Sequence, residues 1–179
     1  MALSLFDFNR NYFQLFDLDT GFEIDVELLN QRYRQIQNQI HPDRFAGKDD
    51  QNQRLAVQFT AFINEAFQCL KQPLERAKYL LKLKGLDINL DKQPQVDGEF
   101  LLAQMNLREE LENINRHSNP ELAIQNLRVQ VTNKIGDLSA AFFAAYQQVD
   151  DKAAVDAVVK WQFLVKLQRD IATLEDELL

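Results

Sequence analysis

The chain has 179 residues, 46% of them hydrophobic and 26% charged, with a formal net charge of −7. That length allows one ordinary domain or two small ones, and four prolines and five glycines are too few for a collagen-like or disordered chain. The acidic balance argues against coating of nucleic acid, which needs a net basic surface, and against anionic membranes.

Cys69 is the single cysteine, so no internal disulfide can form and no cysteine pair stands at zinc-ligand spacing. No run of eighteen apolar residues is present. Met1 to Asn9 lacks the basic start and long apolar stretch of a secretory signal. These features predict a soluble protein of a reducing compartment, with no metal site and no cofactor.

The periodicity is helical almost throughout, which predicts an all-α fold. Tyr12, Phe13, Leu15, Phe16 and Leu18 predict a short helix of two turns, followed by a loop around Asp17–Asp25. The next helix is predicted from an N-cap at Asp25 to Ile40, with Leu29, Tyr33, Ile36 and Ile40 forming one stripe. Pro42 stops it, and His41, Pro42, Asp43, Arg44, Phe45 and Gly47 form a connection. A longer helix, from Asp50 to Lys71, carries Leu55, Phe59, Phe62, Ala66 and Leu70, widened by Ile63 and Phe67. Two such helices joined by a short connection predict an antiparallel hairpin. Pro73 opens another helix and Gly85 stops it.

Residues 85–96 read as a linker between a first domain, 1–84, and a second, 97–179. The second domain has three amphipathic segments. These run from Asp97 to about His117, from an N-cap at Asn119 with Pro120 behind it, and from about Asp150 to the end. Three long stripes with short connections predict a helical bundle.

Few residues offer chemistry. His41 and Asp43 could serve a hydrolase as base and orienter, but no serine or cysteine motif supplies a nucleophile. His41 and His117 share no metal-ligand spacing. A polar loop is the plain alternative. The helix after the linker is more informative. At about 100° per residue, Phe100, Ala103, Leu107, Leu111 and Ile114 share one arc, while Leu101, Leu102, Met105, Glu109 and Glu112 lie roughly opposite. A helix apolar on two sides can face a three-helix core with only one. An exposed apolar patch rimmed by charge marks a protein-binding site, and packing against the first domain is the competing reading.

In its first half the sequence resembles a J-domain. The resemblance rests on Tyr12-Phe13, the helix Leu29–Ile40, the tripeptide His41-Pro42-Asp43 with Phe45 behind it, Asn64-Glu65-Ala66-Phe67, Leu70, Pro73 and Arg76-Ala77. It implies binding to an ATP-loaded DnaK-type chaperone and stimulation of its ATPase, through Arg32, Arg34, His41, Pro42, Asp43 and Arg44. The second helix departs from lysine-rich versions: Arg32 and Arg34 are followed by Gln35, Gln37, Asn38 and Gln39, so electrostatic steering should be weaker.

The stretch from Phe100 to Leu111 is similar to the hallmark segment of the HscB family, J-type co-chaperones of iron–sulfur cluster assembly. Trp161 to Leu167 matches that family's last helix, and the likeness runs from Asn11 onward, leaving residues 1–10 as an extension. The resemblance implies a bacterial cytoplasmic protein with an L-shaped arrangement of J-domain and three-helix bundle. It also implies two partners: the chaperone HscA, and the cluster scaffold IscU bound through Leu101, Leu102, Met105, Asn106, Glu109, Glu112 and Phe163. Asn106 stands where an acidic residue is usual, and Met105 replaces a usual leucine, a swap that nearly conserves volume. A J-protein serving another client through the same bundle is the alternative function, and the small hydrolase a weaker one.

Overall fold

The structure, a computed structural model, describes residues 7–40, 50–86, 88 and 96–178. Among them are seven α-helices and no strand, and no helix is long and apolar enough to cross a membrane. The chain divides into two compact units, Met1–Leu80 and Leu81–Leu179.

In the first unit, α1 spans Tyr12–Leu15, a single turn where the periodicity predicts two. Both of its ends are closed by local hydrogen bonds. Asn11 accepts the Gln14 N–H at 2.9 Å while its own N–H donates to the Gln14 side chain at 3.0 Å. Asp17 adopts a positive φ of 48°, and the N–H groups of Leu18 and Asp17 turn back to the carbonyls of Phe13 and Gln14. That termination satisfies the last carbonyls and prevents a second turn.

α2 covers Val26–Ile40, capped as predicted by Asp25, which accepts the Leu28 N–H at 3.0 Å. α3 covers Asp50–Lys71 and packs on α2. Tyr33 stacks on Phe67 with centroids 4.0 Å apart, and its hydroxyl donates to Asn64 Oδ1 at 2.8 Å. The predicted stripe of α3 is buried at Phe59, Ile63, Ala66, Phe67 and Leu70. Phe8, from the N-terminal extension, sits against the rings of Phe59 and Phe62.

α4 covers Pro73–Leu83, with proline at its first position and Gly85 at φ 80° beyond its end. Arg76 is only 7% exposed. Its guanidinium donates to the carbonyl of Phe22, Nε at 2.6 Å, and to that of Leu70, while lying 5.2 Å from the Phe22 ring centroid. One side chain thereby ties the loop before α2 to the end of α3.

In the second unit, α5 covers Gly98–Glu112, shorter than the predicted run to His117. Asn113 caps its end: its backbone N–H makes the last i→i−4 bond, to the Glu109 carbonyl, and its side-chain amide donates to the same carbonyl at 2.9 Å. A 3-10 turn over Ile114–Arg116 follows, and Ile114 still reaches the core fully buried. α6, Pro120–Gln147, starts at the predicted Asn119 cap, which accepts the Leu122 N–H at 3.0 Å. α7 covers Asp151–Leu178, with Asp150 accepting the Ala153 N–H. Leu107, Ile114, Leu127, Val131, Leu164 and Ile171 belong to one buried cluster shared by all three helices.

Arg76→Ala should lower the stability of the first unit by about 2–4 kcal/mol, because it leaves two carbonyls short of a charged donor. Arg76→Lys should recover less than half of that, since an ammonium cannot reproduce the guanidinium fork. Urea unfolding followed by circular dichroism measures both.

Candidate functional site

Two surfaces carry the predicted residues, one in each unit. In the first, His41, Pro42, Asp43 and Arg44 lie outside the described residues. Arg32 and Arg34 both lie on α2, but two residues apart on a helix point to different sides. Arg34 is exposed. Arg32 is half-buried, with its Nε buried and without a hydrogen-bond partner among the described residues, and lines a cleft of about 260 Å³ together with Gln35, Gln39, Ile40 and Phe59. The two arginines therefore do not form one continuous basic face.

In the second unit, α5 is built as its periodicity predicts. Leu107 is buried, while Phe100, Ala103 and Leu111 are half-buried toward the core side. On the opposite side Leu101 is 46% exposed, Leu102 64% and Met105 65%. Asn106, Glu109 and Glu112 are exposed beside them. Three large apolar side chains thus stand in solvent within five residues, and two carboxylates lie on the following turns. Exposure of this kind, clustered rather than scattered, is what a protein-recognition patch presents.

Phe163 projects from α7 and is half-buried. Its ring meets Phe100 edge to face, with centroids 6.2 Å apart. Phe163 therefore braces the first turn of α5.

Four further residues shape this surface without having been singled out by the sequence. Asp97 caps α5, its Oδ1 accepting the Phe100 N–H at 2.8 Å. Its other oxygen lies 2.5 Å from Lys160 Nζ, which also contacts Asp156 at 2.8 Å. The Lys160 ammonium, and then the Phe100 N–H, hold the Asp97 carboxyl below its ordinary range. Asp156, then Asp97, raises the Lys160 ammonium above its own. Gln104 is 6% exposed, a polar residue inside the core arc. Helical spacing puts Gln104 in that arc beside Phe100 and Leu111, so its burial was readable from position though not from polarity. No local pattern pairs Asp97 with Lys160, 63 positions later.

Comparison with known proteins places this geometry in a family. Residues 96–172 match the family described as the HSCB C-terminal oligomerisation domain. The chain is 40% identical over 169 residues to a co-chaperone protein HscB homolog of Vibrio cholerae serotype O1, covering 94% of this chain and 99% of the relative. Among solved structures it resembles the chaperone HscB of Vibrio cholerae, with a TM-score of 0.88 at 39% identity over 95% of this chain and all of the other. It also resembles human co-chaperone protein HscB, with a TM-score of 0.87 at 27% identity over 94% of this chain and 84% of the other. The agreement spans both helical units and the order in which they occur. The chain belongs to the HscB family of co-chaperones.

Proposed function

We propose that this co-chaperone binds the iron–sulfur scaffold IscU through the outer face of α5 and delivers it to the DnaK-type chaperone HscA, whose ATPase it stimulates. The observation that carries this reading is the exposure of Leu101, Leu102 and Met105 on a helix whose other face is already buried. Full burial of a large aliphatic side chain contributes about 1.5–3 kcal/mol, so covering the exposed parts of three of them is a substantial favourable term against the costs of association. Glu109 and Glu112 on the same side favour a partner surface of basic character. Asn106 supplies a neutral polar contact rather than an ionic one.

In this reading the protein regulates the partner's catalysis and performs none itself. His41, Pro42 and Asp43 present to the ATP-loaded chaperone, with Arg32, Arg34 and Arg44 supplying positive charge. Carrying the scaffold and the chaperone contact on one chain makes the second encounter intramolecular, raising the effective concentration of the scaffold at the chaperone. Hydrolysis takes place in the chaperone, and the cluster is cargo of the scaffold.

The two roles separate by mutation. The variant Leu101→Ala, Leu102→Ala, Met105→Ala truncates side chains outside the buried core and should keep its unfolding midpoint, while scaffold affinity by calorimetry falls at least about a hundredfold, some 2.8 kcal/mol. An unchanged affinity would return these residues to a solvated surface. His41→Gln should reduce stimulation of the chaperone's steady-state ATPase to the basal rate and leave scaffold binding intact. Loss of both functions in a folded His41→Gln protein would contradict the division of labour.

A further inference from the structure

α5 is apolar on two sides, with Phe100, Ala103, Leu107 and Leu111 on one and Leu101, Leu102 and Met105 on the other. Burial alone sets the rotation of a helix with a single apolar stripe. It discriminates weakly when a second stripe offers comparable area, and here the inward side also carries the polar Gln104. A turn of one residue, about 100°, would swing Leu101 toward the core and lift Phe100 away from it. Something directional must select the observed rotation.

The directional contacts lie at the first turn. Lys160 and Phe163 are three residues apart and share a face of α7, as Asp97 and Phe100 share a face at the start of α5. They meet as two rungs, an ion pair at 2.5 Å and an edge-to-face ring pair at 6.2 Å. Lys160 Nζ also lies 5.8 Å from the Phe100 ring centroid, so it contacts both residues of the opposing pair. The Lys160 side chain is only 18% exposed, and Asp156, four residues earlier on α7, holds it from behind at 2.8 Å. The Asp97 carboxylate works in two directions: Oδ1 accepts the Phe100 N–H and Oδ2 meets the ammonium. The backbone follows, since the Leu101 N–H bonds to the Asp97 carbonyl at 3.2 Å.

We propose that Lys160 is a positioning residue for partner binding: by gripping the capping carboxylate of Asp97 it fixes the rotation of α5 that turns Leu101, Leu102 and Met105 outward. The proposal rests on the reading of that face as the scaffold-binding surface. An ion pair whose carboxylate, on Asp97, is 52% exposed adds little to overall stability, so its effect should appear in the orientation of the helix and not in the unfolding midpoint. Ionic groups used for register rather than for stability have this signature.

The test uses the full chain with purified scaffold. Lys160→Met keeps the aliphatic stem and removes the ammonium. Asp97→Asn keeps a good cap and removes the charge. Each should weaken scaffold binding three- to tenfold, and the double variant should be no weaker than the weaker single, because both delete one interaction. Lys160→Arg should bind within twofold of the parent, and urea midpoints should stay unchanged. Amide exchange at Phe100 and Leu101 should rise at least threefold in Lys160→Met, while Val131 in α6 stays protected.

If Lys160→Met binds like the parent while the Leu101, Leu102, Met105 alanine variant does not, the positioning role is overturned and the binding face stands. If the alanine variant also binds normally, the binding face fails, and exchange at Phe100 and Leu101 still decides whether Lys160 orients α5. Unchanged exchange there would overturn the inference outright.

Discussion

Burial of the inner stripe of α6 against α7 is the interaction on which the second unit depends. Each of these helices has 28 residues, whereas α5 has 15. At 1.5 Å of rise per residue α5 reaches along only about half of the pair. It adds Leu107 to the shared cluster, and the turn after it adds Ile114. Two such side chains contribute about 1.5–3 kcal/mol each, enough to dock a short helix onto a platform that is already formed. α6 and α7 therefore supply the core, which leaves the outer face of α5 free of any structural duty.

That arrangement explains which features were legible in the sequence. Long helices with one dominant stripe announce themselves: α2, α3 and α6 start where Asp25, Asp50 and Asn119–Pro120 predict, and Leu29 and Ile40, Phe59 to Leu70, and Ile124, Leu127 and Val131 anchor them in the core. The outward Leu101, Leu102 and Met105 were legible for the same reason, because period 3.6 leaves them opposite the core arc. Short elements were less legible because a few local hydrogen bonds outweigh periodicity there. The Asn11–Gln14 capping pair and the positive φ of Asp17 cut α1 to one turn, and α5 ends after Glu112 where the Asn113 side chain donates to the Glu109 carbonyl.

What the pattern could not hold is contact between residues remote in the chain. Phe163 could be placed at the edge of an apolar arc, but its pairing with Phe100 depends on how α5 meets α7. The grip of Lys160 on Asp97, and of Arg76 on the carbonyls of Phe22 and Leu70, arise in the same way. Each involves a polar group that looks like ordinary surface composition until folding shields it. Arg32 and Arg34, which entered through the resemblance to a J-domain, differ in setting: α2 turns Arg34 to solvent and Arg32 toward a cleft.

In the proposed reading, charge gives the apolar face of α5 its selectivity. Residues 1–84 are balanced, so the whole formal excess of −7 lies in residues 85–179. Three exposed apolar side chains in neutral surroundings would accept almost any apolar surface. Glu109 and Glu112 beside them repel acidic surfaces and draw basic ones. Such charges act on encounter rates and on rejecting wrong partners more than on final affinity, so the strength of binding is left to Leu101, Leu102 and Met105. The acidity that first argued against nucleic acid becomes, at this face, a filter on which proteins can approach.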